Sequence, residues 1–270
     1  MATVTVTEAR ADTREVTVAD RQSLPKNVGP EVSLAGHKMS QQDIRARFDA
    51  ETAAAYSQRK PLWLPEHDYA MRLVLKVLKS YLPDSAQVVD LGAGTGNLSR
   101  RILKALPDCR VTLVDFSRNM LNEAPHLLAA FEGRYRIMLE DFWRVEFPAG
   151  EYSGVVASFA LHHGRGEAVY RDLYRKIYDW LKAPGVFVCC DVVQGDAPPL
   201  AEMNEAGWRG FLQKRDFAPE DIERIFSNYR REDSPLSLRQ HLDLLMQAGF
   251  GAADVLWKRF NFAVYVGIKP

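Results

Sequence analysis

Short apolar runs alternate with helical patterns through the middle of this 270-residue chain. The strand-like runs lie at 88–91, 111–115, 136–139, 154–159 and 186–193. The helical runs between them lie at 98–106, 118–131 and 167–181. Strands without a polar face are covered by helices on both sides, so the alternation predicts a parallel, doubly wound α/β sheet. Two closing runs, 254–257 and 261–268, leave no room for a crossover helix and are expected to pair antiparallel.

The chain is expected to hold one domain over residues 40–270. In residues 1–39 the apolar residues do not recur at the spacing of a helix or a strand. This predicts a partly disordered N-terminal extension. Residues 40–66 read as a helical lid that precedes the sheet. Residues 195–235 interrupt the alternation after a strand. Since ligands bind beyond the carboxyl ends of such strands, this insertion is expected to cover the substrate.

Charge and composition exclude several classes of function. Lys plus Arg and Asp plus Glu both number 35, which argues against nucleic acid or an anionic membrane as the main partner. No apolar run approaches the ~20 residues that span a bilayer, and the N-terminus lacks the apolar region of a secretory signal. The three cysteines, Cys109, Cys189 and Cys190, have no disulfide or zinc-site pattern. We therefore expect a reduced, cytoplasmic protein.

The stretch VVDLGAGTGNL at 88–98 joins the first strand to a helix. Gly92, Gly94 and Gly96 allow a tight turn in which the backbone approaches a ligand closely. In dinucleotide-binding folds the third glycine comes one residue later and the loop holds a pyrophosphate. Asp90, two residues before the first glycine, would repel a phosphate, so the loop favours a cationic ligand.

Acidic residues follow the next two strands. Asp115 ends the second strand, where a carboxylate can accept hydrogen bonds from ribose hydroxyls. Asp141 and Phe142 follow the third strand and suit an adenine, whose amine would donate to the acid and whose ring would lie against the phenyl group. The alternative for Asp141 is a turn cap. The implied ligand carries a ribose, an adenine and a positive centre.

These motifs resemble the class I S-adenosylmethionine-dependent methyltransferases over about residues 40–270. The matching stretches are VVDLGAGTGNLS, VTLVDFSRNML, LEDFW, VVASFALHH and LKAPGVFVCCDVV. The resemblance implies a Rossmann-like, seven-stranded, mostly parallel sheet with an antiparallel C-terminal strand, and methyl transfer from S-adenosylmethionine. The residues that it implies for the cofactor are Gly92, Ala93 and Gly94 at the methionine part, Asp115 at the ribose, Phe116, Met120, Asp141 and Phe142 around the adenine, and Ser158 at the sulfonium.

The lid resembles that of small-molecule methyltransferases, in which a Tyr and an Arg reach the cofactor carboxylate. Tyr56 and Arg59 are the candidates here, and a solvated helix face is the alternative. A small-molecule acceptor is therefore the leading expectation for the partner. In the insertion, Trp208, Phe211 and Tyr229 are candidates for the acceptor pocket, although core packing is the more frequent use of such residues.

The run LWKRFNFAVYVGIKP resembles a second group, the carboxy-S-adenosylmethionine synthases that serve wobble-uridine modification in tRNA. His67 stands where they place a cofactor-contacting Tyr. The chain departs from them in its full three-glycine loop and in Phe226, which stands where they place a carboxylate-binding Arg. Carboxy-S-adenosylmethionine synthesis, RNA methylation and a non-catalytic cofactor-binding homodimer therefore remain alternatives.

His162 and His163, in the stretch FALHHGRG, follow the fourth strand. On an extended chain their side chains point to opposite faces, and no third ligand has suggestive spacing, so no metal site is expected. One ring could act as a general base on the acceptor. In the structural alternative, one ring caps the strand end and the other packs under the next helix.

Overall fold

The computed structural model describes residues 38–50 and 62–270. The strands are β1 (Gln87–Leu91), β2 (Arg110–Asp115), β3 (Tyr135–Leu139), β4 (Tyr152–Ser158), β5 (Leu181–Val192), β6 (Ala252–Arg259) and β7 (Phe262–Lys269). The α-helices are α1 (Gln41–Ala50), α2 (His67–Tyr81), α3 (Asn97–Ala105), α4 (Arg118–Leu121), α5 (Ala124–Leu127), α6 (Glu167–Trp180), α7 (Pro198–Lys214), α8 (Pro219–Glu232) and α9 (Leu238–Ala248). Short 3-10 turns lie at Ala129–Phe131 and Leu161–His163.

Within the described ranges the strands form one seven-stranded sheet in the order β3-β2-β1-β4-β5-β7-β6. Strands β1 to β5 are parallel, and β7 runs antiparallel to both of its neighbours, β5 and β6. The expected Rossmann-like fold is confirmed. Because β7 inserts between β5 and β6, it is the strand that runs against the direction of the rest.

Two hydrophobic clusters cover the two faces of the sheet, as the apolar strand patterns predict. Along β4, Val156 belongs to the cluster that contains α2 and α3, whereas Val155 and Ala157 belong to the cluster that contains α6 and α9. The adjacent Cys189 and Cys190 divide in the same way, and both thiols are free and buried. The cysteine pair therefore packs into the core on opposite sides of β5.

The predicted helix at 118–131 is instead divided into α4, α5 and a 3-10 turn. Ser117 caps α4, since its side chain accepts a hydrogen bond from the Met120 N–H. Pro125 falls in the first turn of α5. Proline has no N–H to donate to the preceding turn, so the chain starts a new helix there.

The insertion at 195–235 contains α7 and α8, and both begin with proline in the first turn. None of the helices in the described ranges is long and apolar enough to cross a membrane. Of the two N-terminal segments, the extension lies outside the described residues except for Lys38 and Met39. Tyr56 and Arg59 of the lid also lie outside them.

Candidate active site

The glycine loop is joined to the end of β2 by main-chain and side-chain hydrogen bonds. The N–H groups of Gly92 and Ala93 donate to the Val114 carbonyl at 2.8 and 3.1 Å. The next glycine, Gly94, donates to Asp115 Oδ2 at 2.8 Å. The other oxygen, Asp115 Oδ1, accepts from the Ser117 N–H at 2.8 Å. The carboxylate is thus fixed beside the loop, at the carboxyl edge of the sheet.

The three loop glycines have positive φ angles for different reasons. A Cβ at Gly92, where φ is +68°, would lie 2.2 Å from the Cβ of Ala160. At Gly94, φ is +56° and no other atom lies within 4 Å of where a Cβ would be. Gly96 is the left-handed N-cap of α3. A side chain at position 92 would therefore collide with Ala160, whereas the position of Gly94 borders open space in front of the loop.

Asp90 lies behind the loop rather than at its mouth. It is fully buried in β1, and its Oδ2 accepts a hydrogen bond from Ser99 Oγ at 2.7 Å. Ser99 is in the first turn of α3. This acid therefore holds α3 against β1 and does not line the space that the loop encloses.

A cavity of about 160 Å³ opens in front of the loop. Predicted residues that line it are His67, Gly92, Ala93, Gly94, Asp115, Phe116, Met120, Phe142, Ser158 and His163. Lining residues that the sequence reasoning missed are Met71, Thr95, Asn97, Leu98, Arg101, Phe159 and Ala160. The Arg101 guanidinium donates to Asp68 of α2 at 2.7 Å, so α2 and α3 are tied together beside the cavity.

Asp141 is directed into a turn. Its Oδ1 accepts a hydrogen bond from the Trp143 N–H at 3.1 Å, and its carbonyl accepts from Arg144 and Val145. The neighbouring Phe142 is buried and lines the cavity. The structure thus brings Phe142 to the site and gives Asp141 the turn-capping contacts of the alternative interpretation.

The aromatic residues predicted for the acceptor pocket pack instead in the core. Trp208 lies edge-on to Phe262 with ring centroids 4.9 Å apart, and its Nε1–H donates to the Trp63 carbonyl at 2.9 Å. Tyr229 Oη accepts from Asn261 Nδ2 at 3.0 Å, and Phe211 packs against the same cluster. These side chains fasten α7 and α8 to the sheet, and they are outside the described lining of the cavity.

The chain turns sharply after β4, which corrects the expectation of an extended segment. Phe159 has φ +54°, an unusual angle for a side chain of this size, and Leu161–His163 form a 3-10 turn. The rings of His162 and His163 consequently lie on the same side, with centroids 4.0 Å apart. The prediction that they face opposite directions is wrong, because it assumed strand geometry. Strained backbone of this kind clusters at functional sites.

A buried carboxylate of β5, Asp191, holds this turn. It accepts hydrogen bonds from the Leu161 N–H at 2.6 Å and from His162 Nδ1 at 2.5 Å. Burial alone would raise the pKa of Asp191, but the contact with His162 and the main-chain donors outweigh it and lower the pKa. Asp191 is therefore anionic and fixes the orientation of His162.

His163 is the ring of the pair that reaches the cavity. Burial, reinforced by the neighbouring His162, lowers the pKa of His163, so its imidazole is neutral at neutral pH. Asp233, which directly follows α8, approaches both rings. Neither Asp191 nor Asp233 was predicted, because both lie far from the histidines in sequence.

A family model described as a methyltransferase domain matches residues 88–185. That span contains the glycine loop, Asp115 and the turn with the two histidines. The carboxy-S-adenosyl-L-methionine synthase of Nautilia profundicola is 22% identical over 82% of this chain and 94% of its own length. The synthase of Campylobacter concisus is 25% identical over the same shares. The family match and these relatives support a class I S-adenosylmethionine-dependent methyltransferase family.

Solved structures agree with this methyltransferase fold. The 1,6-didemethyltoxoflavin-N1-methyltransferase of Burkholderia thailandensis, solved with its substrate and S-adenosylhomocysteine, is 18% identical. It matches 87% of this chain and 93% of its own with a TM-score of 0.58. S-adenosylmethionine, the expected cofactor, is the cofactor of this methyltransferase family. The cavity suits it, since a carboxylate, a loop with open space at Gly94 and apolar side chains meet there.

Proposed function

We propose that this methyltransferase transfers the methyl group of S-adenosylmethionine to a small-molecule acceptor. In this proposal the cofactor occupies the cavity in front of the glycine loop. The contacts assigned to it are the methionine part along Gly92–Gly94, the ribose at Asp115, the adenine beside Phe116, Met120 and Phe142, and the sulfonium near Ser158. His67 would contact the same ligand from α2.

The ring side chains that line the cavity beyond Ser158 carry the proposal. Phe159 and His67 stack there with ring centroids 5.9 Å apart and an interplanar angle of 23°. The buried His163 lines the cavity beside them. Methyl transfer needs an acceptor held in line with the sulfonium and water kept away, and such walls provide both for a small group. A macromolecular surface would need a more open approach.

The surface of the insertion supports a small molecule rather than RNA. Three of its five arginines form ion pairs with neighbouring acids, whereas phosphate binding requires cations that face the nucleic acid. The pairs are Arg209 with Glu223, Arg224 with Asp221, and Arg230 with Glu205. RNA methylation is accordingly disfavoured.

Carboxy-S-adenosylmethionine synthesis is the second candidate. It is favoured by the curated relatives, which carry that name and align with 82% of the chain. Phe226 argues against it, because it stands where the synthases are expected to have an Arg. The Phe226 ring is fully buried against Trp208, with centroids 4.7 Å apart, and the Arg209 guanidinium lies 4.0 Å from its centroid.

The first test is mass spectrometry of the ligand that remains bound through purification. S-adenosylmethionine or S-adenosylhomocysteine is the expected result, and carboxy-S-adenosylmethionine would favour the second candidate. The second test measures S-adenosylhomocysteine release with pooled small metabolites and, separately, with total tRNA. Release with tRNA alone would overturn the small-molecule proposal. The Asp115→Ala variant serves as the cofactor-deficient control.

A further inference from the structure

Two buried histidines and a largely buried aspartate, all with metal-ligating atoms, meet where the histidine turn contacts the end of α8. Asp233 Oδ1 lies 3.4 Å from His163 Nδ1 and 3.7 Å from His162 Nε2. The ligating atoms of all three residues lie within 4.8 Å of one another. His163 also lines the cavity, so this cluster borders the acceptor end of the site.

The two distances from Asp233 Oδ1 to the rings, 3.4 and 3.7 Å, are close to those between two ligands of one ion. Without an ion, His163 is hydrogen-bonded to Asp233, and a shared ion would replace that contact. Zinc binds nitrogen and oxygen at about 2.0–2.2 Å, so tetrahedral angles put neighbouring ligand atoms roughly 3.3–3.6 Å apart. Two imidazoles and one carboxylate are, moreover, a ligand set of catalytic zinc sites, which keep the fourth position open.

The orientation of the ligands is fixed before any ion binds. His162 Nδ1 is hydrogen-bonded to the buried Asp191 at 2.5 Å, which leaves Nε2 on the side of Asp233. A carboxylate behind a histidine is the usual second partner of a metal-binding imidazole. The Ser234 N–H donates to the His162 carbonyl at 2.8 Å and locks the end of α8 to the turn.

Among the described residues, the cations Lys38, Arg165 and Arg47 near Asp233 bind main-chain oxygens, a hydroxyl or Glu232. Lys38 Nζ donates to the main-chain oxygen of Asp233. Arg165 donates to the main-chain oxygens of Met39 and Glu232 and to Ser234 Oγ. Glu232 forms an ion pair with Arg47. In the part of the chain that the structure describes, Asp233 and Asp191 are the carboxylates in contact with the imidazoles, and a divalent cation would balance their charge.

We propose that His162, His163 and Asp233 bind one divalent transition-metal ion, of which zinc fits the ligand set best. The fourth coordination position is on the side of the cavity and takes an oxygen donor, water or the acceptor itself. With respect to the acceptor, the inference rests on the proposed function. The acceptor class becomes a molecule whose methylated position is a hydroxyl group, because a bound metal promotes loss of the hydroxyl proton.

The proposed methyl transfer conserves atoms, electrons and charge. The coordinated hydroxyl releases its proton to solvent, and its oxygen attacks the methyl carbon of the sulfonium. The carbon–sulfur bond breaks, and its electron pair stays on sulfur. The products are a methyl ether, S-adenosylhomocysteine and one proton. In this arrangement His163 acts through the metal and not as a general base.

The test is metal titration of the full chain after treatment with a chelator, without any acceptor. Zn²⁺ is measured by calorimetry, and Co²⁺ reports a tetrahedral site by its visible absorption. We expect one ion per chain. Asp233→Asn and His163→Asn should each weaken binding more than about 100-fold, because removal of an outer partner alone costs about 10–100-fold. Asp191→Asn, which keeps all three ligands, should fall in that lower range.

Matched controls are Asp243→Asn and His126→Asn, which change exposed residues of α9 and α5 and should bind metal as the unaltered chain does. Absence of stoichiometric binding by the unaltered chain would overturn the inference. Unaltered affinity in both Asp233→Asn and His163→Asn would overturn it as well. Calorimetry with S-adenosylmethionine on the same samples checks that each variant is folded. In the separate assay with pooled small metabolites, release of S-adenosylhomocysteine by metal-free protein would refute the role of the metal in transfer and leave the proposed function standing. Stoichiometric metal binding without any release would leave the metal site standing and contradict the proposed function.

Discussion

The main-chain N–H of Gly94 donates to the carboxylate of Asp115 at 2.8 Å, so one hydrogen bond joins the glycine loop to the end of β2. The loop and the acid therefore act as one unit, although 21 positions separate them. In the proposed complex the same carboxylate would hold the ribose. A change at Asp115 should therefore affect both the loop and the cofactor.

Asp115→Asn should weaken S-adenosylmethionine binding about 10–100-fold, since a hydrogen bond to a charged group contributes about 1.5–3 kcal/mol. The amide keeps the size of the side chain but offers one acceptor oxygen where the carboxylate offers two. Calorimetric titration with the cofactor measures the effect. Asp108→Asn, at an exposed acid just before β2, is the control and should bind normally. Equal affinities for the two variants would contradict the assignment.

Alanine at each loop glycine should separate packing from ligand approach. Gly94→Ala faces open space, so only its positive φ costs stability, about 1–2 kcal/mol. Gly92→Ala also collides with Ala160 and should cost about 2–5 kcal/mol in all. Melting temperatures should therefore fall more for Gly92→Ala, while both variants lose cofactor affinity.

The matched control is Gly150→Ala, which has φ +65° and open space but lies outside the described cavity lining. It should lose as much stability as Gly94→Ala and keep full cofactor affinity. A Gly94→Ala variant that binds S-adenosylmethionine normally would show that the ligand does not approach the loop there.

Acid should destabilise the fold through His241. Burial lowers the pKa of this histidine to about 4, against about 6.5 in the unfolded chain. Between these values the unfolded chain therefore binds more protons than the folded one. The free energy of unfolding does not change through His241 above about pH 6.5, and it decreases as the pH falls below that value. Between pH 7.5 and pH 5 the loss should be about 2 kcal/mol.

Urea unfolding at the two pH values measures this loss. His241→Gln should lose less stability than the unaltered chain between them, because glutamine does not titrate. His126→Asn removes an exposed histidine and should keep the full dependence. If the unaltered chain and His241→Gln respond equally to acid, His241 is not the responsible group.

Arg165→Lys should weaken the attachment of residues 38–44 to the rest of the fold. The guanidinium reaches the carbonyls of Met39 and Glu232 and the hydroxyl of Ser234, whereas a lysine offers a single point of donation. Hydrogen exchange at the Ile44 amide, bonded to the Ser40 carbonyl at 3.1 Å, should accelerate. Arg175→Lys, at an exposed site on α6, should leave it unchanged. Unchanged exchange in Arg165→Lys would show that other contacts hold the segment.

The features that the sequence predicted best are local ones. Gly92, Gly94 and Asp115 follow strands whose apolar pattern is unambiguous, and parallel strands bring their carboxyl ends to one edge. Their meeting at the cavity therefore follows from strand order. Phe142 could be placed for the same reason, since it comes three residues after the end of β3.

The acceptor end could not be predicted in this way. Asp233 reaches the histidines because α8 returns across the carboxyl edge of the sheet, and no local pattern encodes that return. The direction of His162 and His163 depends on the positive φ of Phe159, which a bulky residue does not signal. Trp208 illustrates a further limit, because an aromatic side chain suits a pocket and a core equally well in sequence.

The insertion of β7 between β5 and β6 has a consequence for the order of folding. The pairing of β2 with β1 and with β3 closes through short connections, so the glycine loop and Asp115 can come together early. Pairing of β7 with β5 must instead close the long loop that contains α7, α8 and α9, which costs more chain entropy. Asp233 lies inside that loop. Pulse-labelling hydrogen exchange should therefore detect protection at the loop glycines before protection at Ser234, so that the cavity matures from its cofactor end towards its acceptor end.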